Sequence, residues 1–289
     1  MNLFNKSKQA KYIKSIEASG LFDNTVADAF PQTIVAKLVR EHFANGGKKA
    51  IVINYDGARA DGLLSLLQCK NEPLDEFCRY GAIAEIAREG GLYLTYAGGD
   101  IVKQHTSTMQ GFASMLTGKW ADEHGVDGAQ VLNENTKTFL RELAEKGFKS
   151  HFIARWDDHF SCTYKREIAI AKEQNLPLQF TKCGENDETL QAEVKKALQN
   201  DDIIYAIYEA PDANGHAYHF GNENYHYTKA IAYCDKAAFE IVQLIKARAN
   251  FEQENWLIII SSDHGGHMRW HGTQNITDRQ TFLACNKKL

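Results

Sequence analysis

The sequence predicts an α/β fold, a three-layer α/β/α sandwich around a mostly parallel central sheet. Two observations carry that expectation. Four short runs are almost continuously apolar and rich in β-branched and aromatic residues: Ala50 to Tyr55, Leu92 to Ala97, Ile203 to Tyr208 and Leu257 to Ile260. Each has the length of a strand, and unbroken apolarity suits strands covered on both faces. Between them lie stretches of helical period, at Pro73 to Arg88, Thr136 to Lys146, Thr189 to Gln199 and Tyr225 to Ala249. Strands that alternate with helices imply βαβ units. Weaker strand signals at Ser150 to Ala154 and Leu178 to Phe180 fall within the segment 119–200, which could form a small insertion beside the site. We find no internal repeat or low-complexity linker, and expect one domain over 1–289.

Composition narrows the function classes. Of 289 residues, 44% are hydrophobic and 24% charged, ordinary for a chain with a sizeable core. The formal net charge of −4 argues against a dedicated nucleic-acid binder, which normally carries a basic face. No apolar run approaches the roughly 20 residues needed to span a bilayer, so no membrane partner is expected. The N-terminal charges are followed by no apolar stretch of the secretory type. The six cysteines (Cys69, Cys78, Cys162, Cys183, Cys234, Cys285) include no CxxC pair. Together these read as reduced thiols in a cytoplasmic protein.

The polar residues fall in a pattern. One apolar run ends at Tyr55-Asp56-Gly57, another at Glu209-Ala210-Pro211-Asp212, and a third at Ser261-Ser262-Asp263-His264-Gly265-Gly266. An aspartate thus follows the carboxyl end of three strands, the edge where open α/β sheets bind ligands. A single such aspartate is usually a turn former or a helix cap. Three at one edge would repel one another, and bound cations are the simplest compensation. His216 follows Asp212 by four residues, His264 is adjacent to Asp263, and His271 follows in the same loop. Mixed carboxylate and imidazole donors suit two divalent ions, zinc first, with manganese or iron as competitors.

The segment Thr106 to Gly118 has apolar residues at helical spacing, with Thr108 at the N-cap position and Gly118 where the helix would stop. A capping threonine needs no further role. A helix N-terminus, however, offers free N–H groups and positive potential to an incoming phosphate, and a nearby cation would activate the hydroxyl.

With these pieces in place, the chain resembles the alkaline phosphatase superfamily, in particular its type I phosphodiesterase and nucleotide pyrophosphatase branch. The resemblance rests on IVINYDGARAD, TSTMQGFASMLTGKWADEHGV, YEAPDANGHAYHFG, and IIISSDHGG with HGTQNITDRQTFLACN, in the family's order from about residue 50 onward. It singles out Thr108 as nucleophile, nine residues before Thr117-Gly118 and sixteen before His124-Gly125. It implies one metal on Asp212, His216 and His271, and another on Asp56, Asp263, His264 and the Thr108 hydroxyl. It further implies hydrolysis of a small-molecule phosphoester through a covalent phospho-threonine, with retention at phosphorus. The CxPxR motif of the sulfatase branch is absent, and Thr108 replaces the serine of the phosphoglycerate mutase branch.

Departures bear on specificity. Gln110-Gly111 stands where the family often has Pro-Asn, and Val126-Asp127-Gly128 where nucleotide pyrophosphatases place a phosphate-holding asparagine, the next one here being Asn133. His267 competes with His271 for the last ligand position. Alternatives that share the site are a phosphomonoesterase, a phosphonoacetate-hydrolase-like enzyme, or a metal-binding relative without turnover. Trp156 to His159 could line the pocket, Arg59 and Asp61 are expected to pair, and His219 and His226 to lie outside the site.

Overall fold

The computed structural model describes residues 29–63, 81–99, 104–127 and 131–289. Eight strands form one sheet: β1 (Phe30–Pro31), β2 (Lys49–Tyr55), β3 (Gly91–Tyr96), β4 (Ser150–Ala154), β5 (Leu178–Lys182), β6 (Ile203–Tyr208), β7 (Trp256–Ser261) and β8 (Gln280–Cys285). Their spatial order is β1-β3-β8-β7-β2-β6-β4-β5. All pairings are parallel except those of β8, which runs antiparallel to β3 and β7.

Strand geometry explains why the apolar runs are unbroken. Successive side chains point to opposite faces, so Ile51, Ile53 and Tyr55 of β2 enter one core and Ala50 and Val52 the other. Strands β6 and β7 divide in the same way. One face is covered by α2 (Ala82–Glu89), α7 (Asp187–Asn200) and α9 (Tyr225–Lys246), through residues such as Ile83, Val194 and Ile241. The other is covered by α1 (Ile34–Ala44), α3 (Thr108–Thr117) and α5 (Phe139–Ala144), through Val39, Met115 and Phe139. The three-layer sandwich expected from the sequence is the fold.

The weak strand signals at 150–154 and 178–180 are β4 and β5, which extend the common sheet beyond β6. Two strands went unread, β1 and β8. Helices α1 and α6 (Lys165–Glu173) also carried no clear signal. The first part of the helix expected over 73–88, together with Cys69 and Cys78, lies outside the described residues. No described helix is long and apolar enough to cross a membrane.

Candidate metal and phosphoryl-transfer site

The central strands β7, β2 and β6 are neighbours, so their carboxyl ends bring Asp263, Asp56 and the Asp212 segment to one rim. Asp212 and His216 lie on α8 (Ala210–Tyr218), which the sequence did not disclose as a helix. Its Pro-Asp-Ala-Asn-Gly composition is poor for helices, but Pro211 in the first turn is well placed there. Four residues make about one turn, which sets His216 Nε2 3.4 Å from Asp212 Oδ2. Asp187 fixes the start of α8 by accepting from the N–H groups of Glu209 (3.2 Å) and Ala210 (3.0 Å).

Asp263 and Asp56 meet across the β7–β2 junction, where His264 Nε2 lies 3.4 Å from Asp56 Oδ1 and 3.4 Å from Asp263 Oδ2. His271 Nε2 is 3.6 Å from Asp212 Oδ1, and its ring stacks on His264 with centroids 4.0 Å apart. Two groups of donor atoms result, Asp56/Asp263/His264 and Asp212/His264/His271, each with all its atoms within 4.8 Å of one another. The rim therefore joins the seven residues singled out from the sequence, with His264 standing between the two groups.

Thr108 is the first residue of α3, and Ser107 rather than Thr108 takes the N-cap position. The Thr108 hydroxyl donates to His264 Nε2 at 3.2 Å. Helix α3 approaches the rim closely because Gly111 has no side chain; a Cβ there would stand 2.8 Å from the Asp263 Cβ and carbonyl oxygen. The glycine of the Gln110-Gly111 departure is thus a packing requirement of this chain. Gly57 plays the matching part in the loop after β2, where its positive φ of 68° and a Cβ contact of 2.9 Å with Asp212 both demand glycine.

The donor set fits cations. Asp56 Oδ1, Asp212 Oδ1 and Asp263 Oδ2 are buried and accept no hydrogen bond, a state that costs about 1–3 kcal/mol per group unless something else compensates. Burial, then the neighbouring charges of Asp263, Asp212 and Glu209, hold the Asp56 carboxyl well above the ordinary range. Burial, opposed by the Gly57 N–H and reinforced by Asp212, does the same for Asp263. The Asp212 carboxyl is raised chiefly by burial, against the pull of His271 and His216. Burial, then His271, holds His264 well below its ordinary value, and burial lowers His271 too.

Each imidazole is also oriented. The Nδ1 of His264 donates to the Gly265 carbonyl (2.7 Å), that of His216 to the Arg269 carbonyl (2.7 Å), and that of His271 to the Thr106 carbonyl (3.1 Å). With Nδ1 protonated, Nε2 keeps its lone pair toward the rim, the arrangement usual for a metal-binding histidine. His267 behaves differently: its Nδ1 pairs with the buried Asp278 at 2.6 Å, and His271 is the histidine brought into the cluster.

Beside the rim opens a cavity of about 670 Å³. Asp56, Thr108, Asp212, His216 and His271 line it together with His105, Asp127, Trp156 and Glu209. Of the Trp156–His159 stretch only Trp156 reaches this wall. Asp157 pairs with Lys182, and His159 is fully buried against Phe112 and Phe152, where burial lowers its pKa to about 3. Asn133 donates to the Glu123 carbonyl at 3.0 Å and is not on the wall. Arg59 and Asp61 pair as expected, Arg59 Nε donating to Asp61 Oδ1 at 2.8 Å. His226 stacks on Tyr218 away from the rim, and His219 caps α8. Sequence reasoning missed Glu209 and His105 as lining residues. Glu209 ends the β6 run and was legible in principle; His105 sits in a segment with no periodic signal.

Residues 141–269 match the family model of type I phosphodiesterase / nucleotide pyrophosphatase. That span holds Asp212, His216, Asp263 and His264, whereas Asp56, Thr108 and His271 lie outside it. A 2-O GAG sulfatase superposes with a TM-score of 0.54 at 13% identity, over 83% of this chain and 64% of the other. A protein of the alkaline phosphatase superfamily from Vibrio parahaemolyticus gives 0.53 at 16%, over 84% and 62%. The phosphonate monoester hydrolase of Agrobacterium radiobacter gives 0.53 at 12%, over 84% and 70%. No protein of curated function matches the sequence. The fold is similar to that of these structures, and the segment 141–269 carries the type I phosphodiesterase / nucleotide pyrophosphatase pattern. The chain spans just under two thirds of the length of the first two structures.

Proposed function

We propose that this chain is a hydrolase of phosphate esters, acting on diesters of small alcohols through a covalent phospho-threonine on Thr108. The observation that carries the reading is the rim itself: three carboxylates, two of them buried, each with a buried oxygen that accepts nothing, and three histidines with Nε2 beside them, gathered about one hydroxyl at a helix N-terminus.

Asp212, His216 and His271 would hold one divalent ion, and Asp56, Asp263, His264 and the Thr108 hydroxyl the other; zinc suits the mixed oxygen and nitrogen donors. When bound, the ions would offset charge on the transferring oxygens and lower the pKa of the hydroxyl. The chain's own residues do the rest. Thr108 Oγ attacks phosphorus as the bond to the ester alcohol breaks, and the alcohol departs with a proton. Water then cleaves the Oγ–P bond and restores the hydroxyl, so that two inversions give net retention. The first-turn N–H groups of α3 have no intrahelical partners and favour an anionic group at the mouth of the cavity. The hydrogen bond from His271 to the Thr106 carbonyl and that from Thr106 Oγ1 to the Thr273 carbonyl (2.7 Å) tie the nucleophile loop to the His271 loop.

The test is release of nitrophenol from bis(4-nitrophenyl) phosphate and 4-nitrophenyl phosphate by protein supplied with Zn²⁺ or Mn²⁺. Turnover that is retained in Thr108→Ala would remove the nucleophile from the account.

A further inference from the structure

We propose, building on the phosphodiesterase reading, that the esterified alcohol carries a positive charge: the substrate is a phosphodiester of an aminoalcohol or quaternary-ammonium alcohol. The basis is the wall of the cavity outside the catalytic cluster. Trp156 stands 38% exposed on that wall, where its aromatic ring is open to a ligand. Its backbone N–H donates to Glu209 Oε1 at 2.7 Å, and the Glu209 side chain lines the same cavity. Asp127 supplies a second carboxylate to the same cavity. Among the described lining residues there is no lysine or arginine. The guanidinium of Arg155 is turned to Asp187 (3.0 Å) and the Gly184 carbonyl (3.2 Å), and lies 3.7 Å from Glu209 Oε2.

Charge decides what this wall accepts. The three rim carboxylates and a phosphodiester together carry four negative charges, which two divalent ions match. Glu209 and Asp127 are additional, and Arg155 offsets one of them in part. An ester group with further phosphates, such as that of a nucleoside triphosphate, would meet two carboxylates on the wall. An ammonium group would meet an aromatic face with carboxylates near it, the combination that recognises alkylammonium ions.

The test compares two substrates of equal shape. 4-Nitrophenyl phosphorylcholine and 4-nitrophenyl 3,3-dimethylbutyl phosphate differ only in a nitrogen replaced by carbon. The zinc-loaded protein should show kcat/KM at least about tenfold higher for the choline ester, the effect of one favourable cation contact. Glu209→Gln keeps the oxygen that accepts from Trp156 and removes the charge; with Asp127→Asn it should bring the ratio toward one. Trp156→Leu should lower the ratio as well. A wild-type ratio near one, with both esters hydrolysed, overturns the inference and leaves the hydrolase reading intact. Turnover of bis(4-nitrophenyl) phosphate with neither alkyl ester accepted also overturns it. The binding preference is read separately by calorimetry of phosphocholine and 3,3-dimethylbutyl phosphate with Thr108→Ala. Preference there without turnover in wild type would support the cationic subsite while removing the hydrolase reading; no preference in that titration counts against the subsite.

Discussion

Asp263 and Asp278 are both fully buried, yet their surroundings differ in kind. Asp278 is saturated with donors: His267 Nδ1 at 2.6 Å, the Thr273 N–H at 3.0 Å and the Thr273 hydroxyl at 2.7 Å. Asp263 accepts from the Gly57 N–H at 3.2 Å through one oxygen, while the other oxygen accepts nothing and faces two further carboxylates across the rim. A carboxylate that serves structure is given hydrogen bonds. One buried with an oxygen left without a donor is costly to keep, and is suited to a cation. The difference separates the loop that positions His271 from the residues that would do the binding.

The contrast can be broken in several ways. The largest effect is expected at the nucleophile. Thr108→Ala should reduce kcat by about 10³-fold or more, as loss of a covalent nucleophile does, with its melting temperature within a few degrees of wild type. Full activity in that variant, measured on nitrophenyl esters, would contradict the assignment.

Next come the two aspartates, which should move stability in opposite directions. In protein stripped by chelator, Asp263→Asn removes an uncompensated buried charge and should raise the melting temperature, at about 2–4 °C per kcal/mol. Asp278→Asn leaves donors around it unsatisfied and should destabilise by about 1–3 kcal/mol. If both substitutions lowered the melting temperature equally, the distinction between the two environments would be lost. Zinc should then stabilise wild type and fail to stabilise Asp263→Asn to the same extent, as differential scanning calorimetry would register.

The smallest effect concerns Asp235, a buried carboxylate of intermediate type. It accepts from the Ile83 N–H at 2.9 Å and the Tyr55 hydroxyl at 3.2 Å, yet burial raises its pKa to about 6 from the ordinary 3.8. A raised acid pKa in the folded state favours the protonated form. Its contribution is therefore complete below about pH 4 and lost as pH rises through about 6. The urea midpoint of Asp235→Asn should vary less than that of wild type between pH 4 and 7; an identical profile would show that Asp235 does not titrate as stated.

Much of this was legible in the chain because buried parallel strands leave an unbroken apolar trace. Ile203 to Tyr208 and Ser150 to Ala154 were bounded to the residue. Strand β8 was not, since Gln280 and Thr281 open it with polar side chains that are buried only through their neighbours in the sheet, as Thr281 is against Thr95 (2.7 Å). At the site, Asp56, Asp212 and Asp263 could be read from their places after strands. Their convergence required strand order, which sequence spacing does not contain. The choice between His267 and His271 also depended on a tertiary partner, Asp278. Trp156 and Glu209 came together only because β4 and β6 are paired.

The central claim is that the rim of β2, β6 and β7 holds two divalent cations. Diffraction from zinc-loaded crystals, collected on both sides of the zinc absorption edge, tests it directly. The account predicts two anomalous peaks, one touching Asp212, His216 and His271 and the other Asp56, Asp263 and His264, with Thr108 Oγ at the second. Crystals with no peak at this rim, and waters donating to the carboxylate oxygens instead, would contradict it.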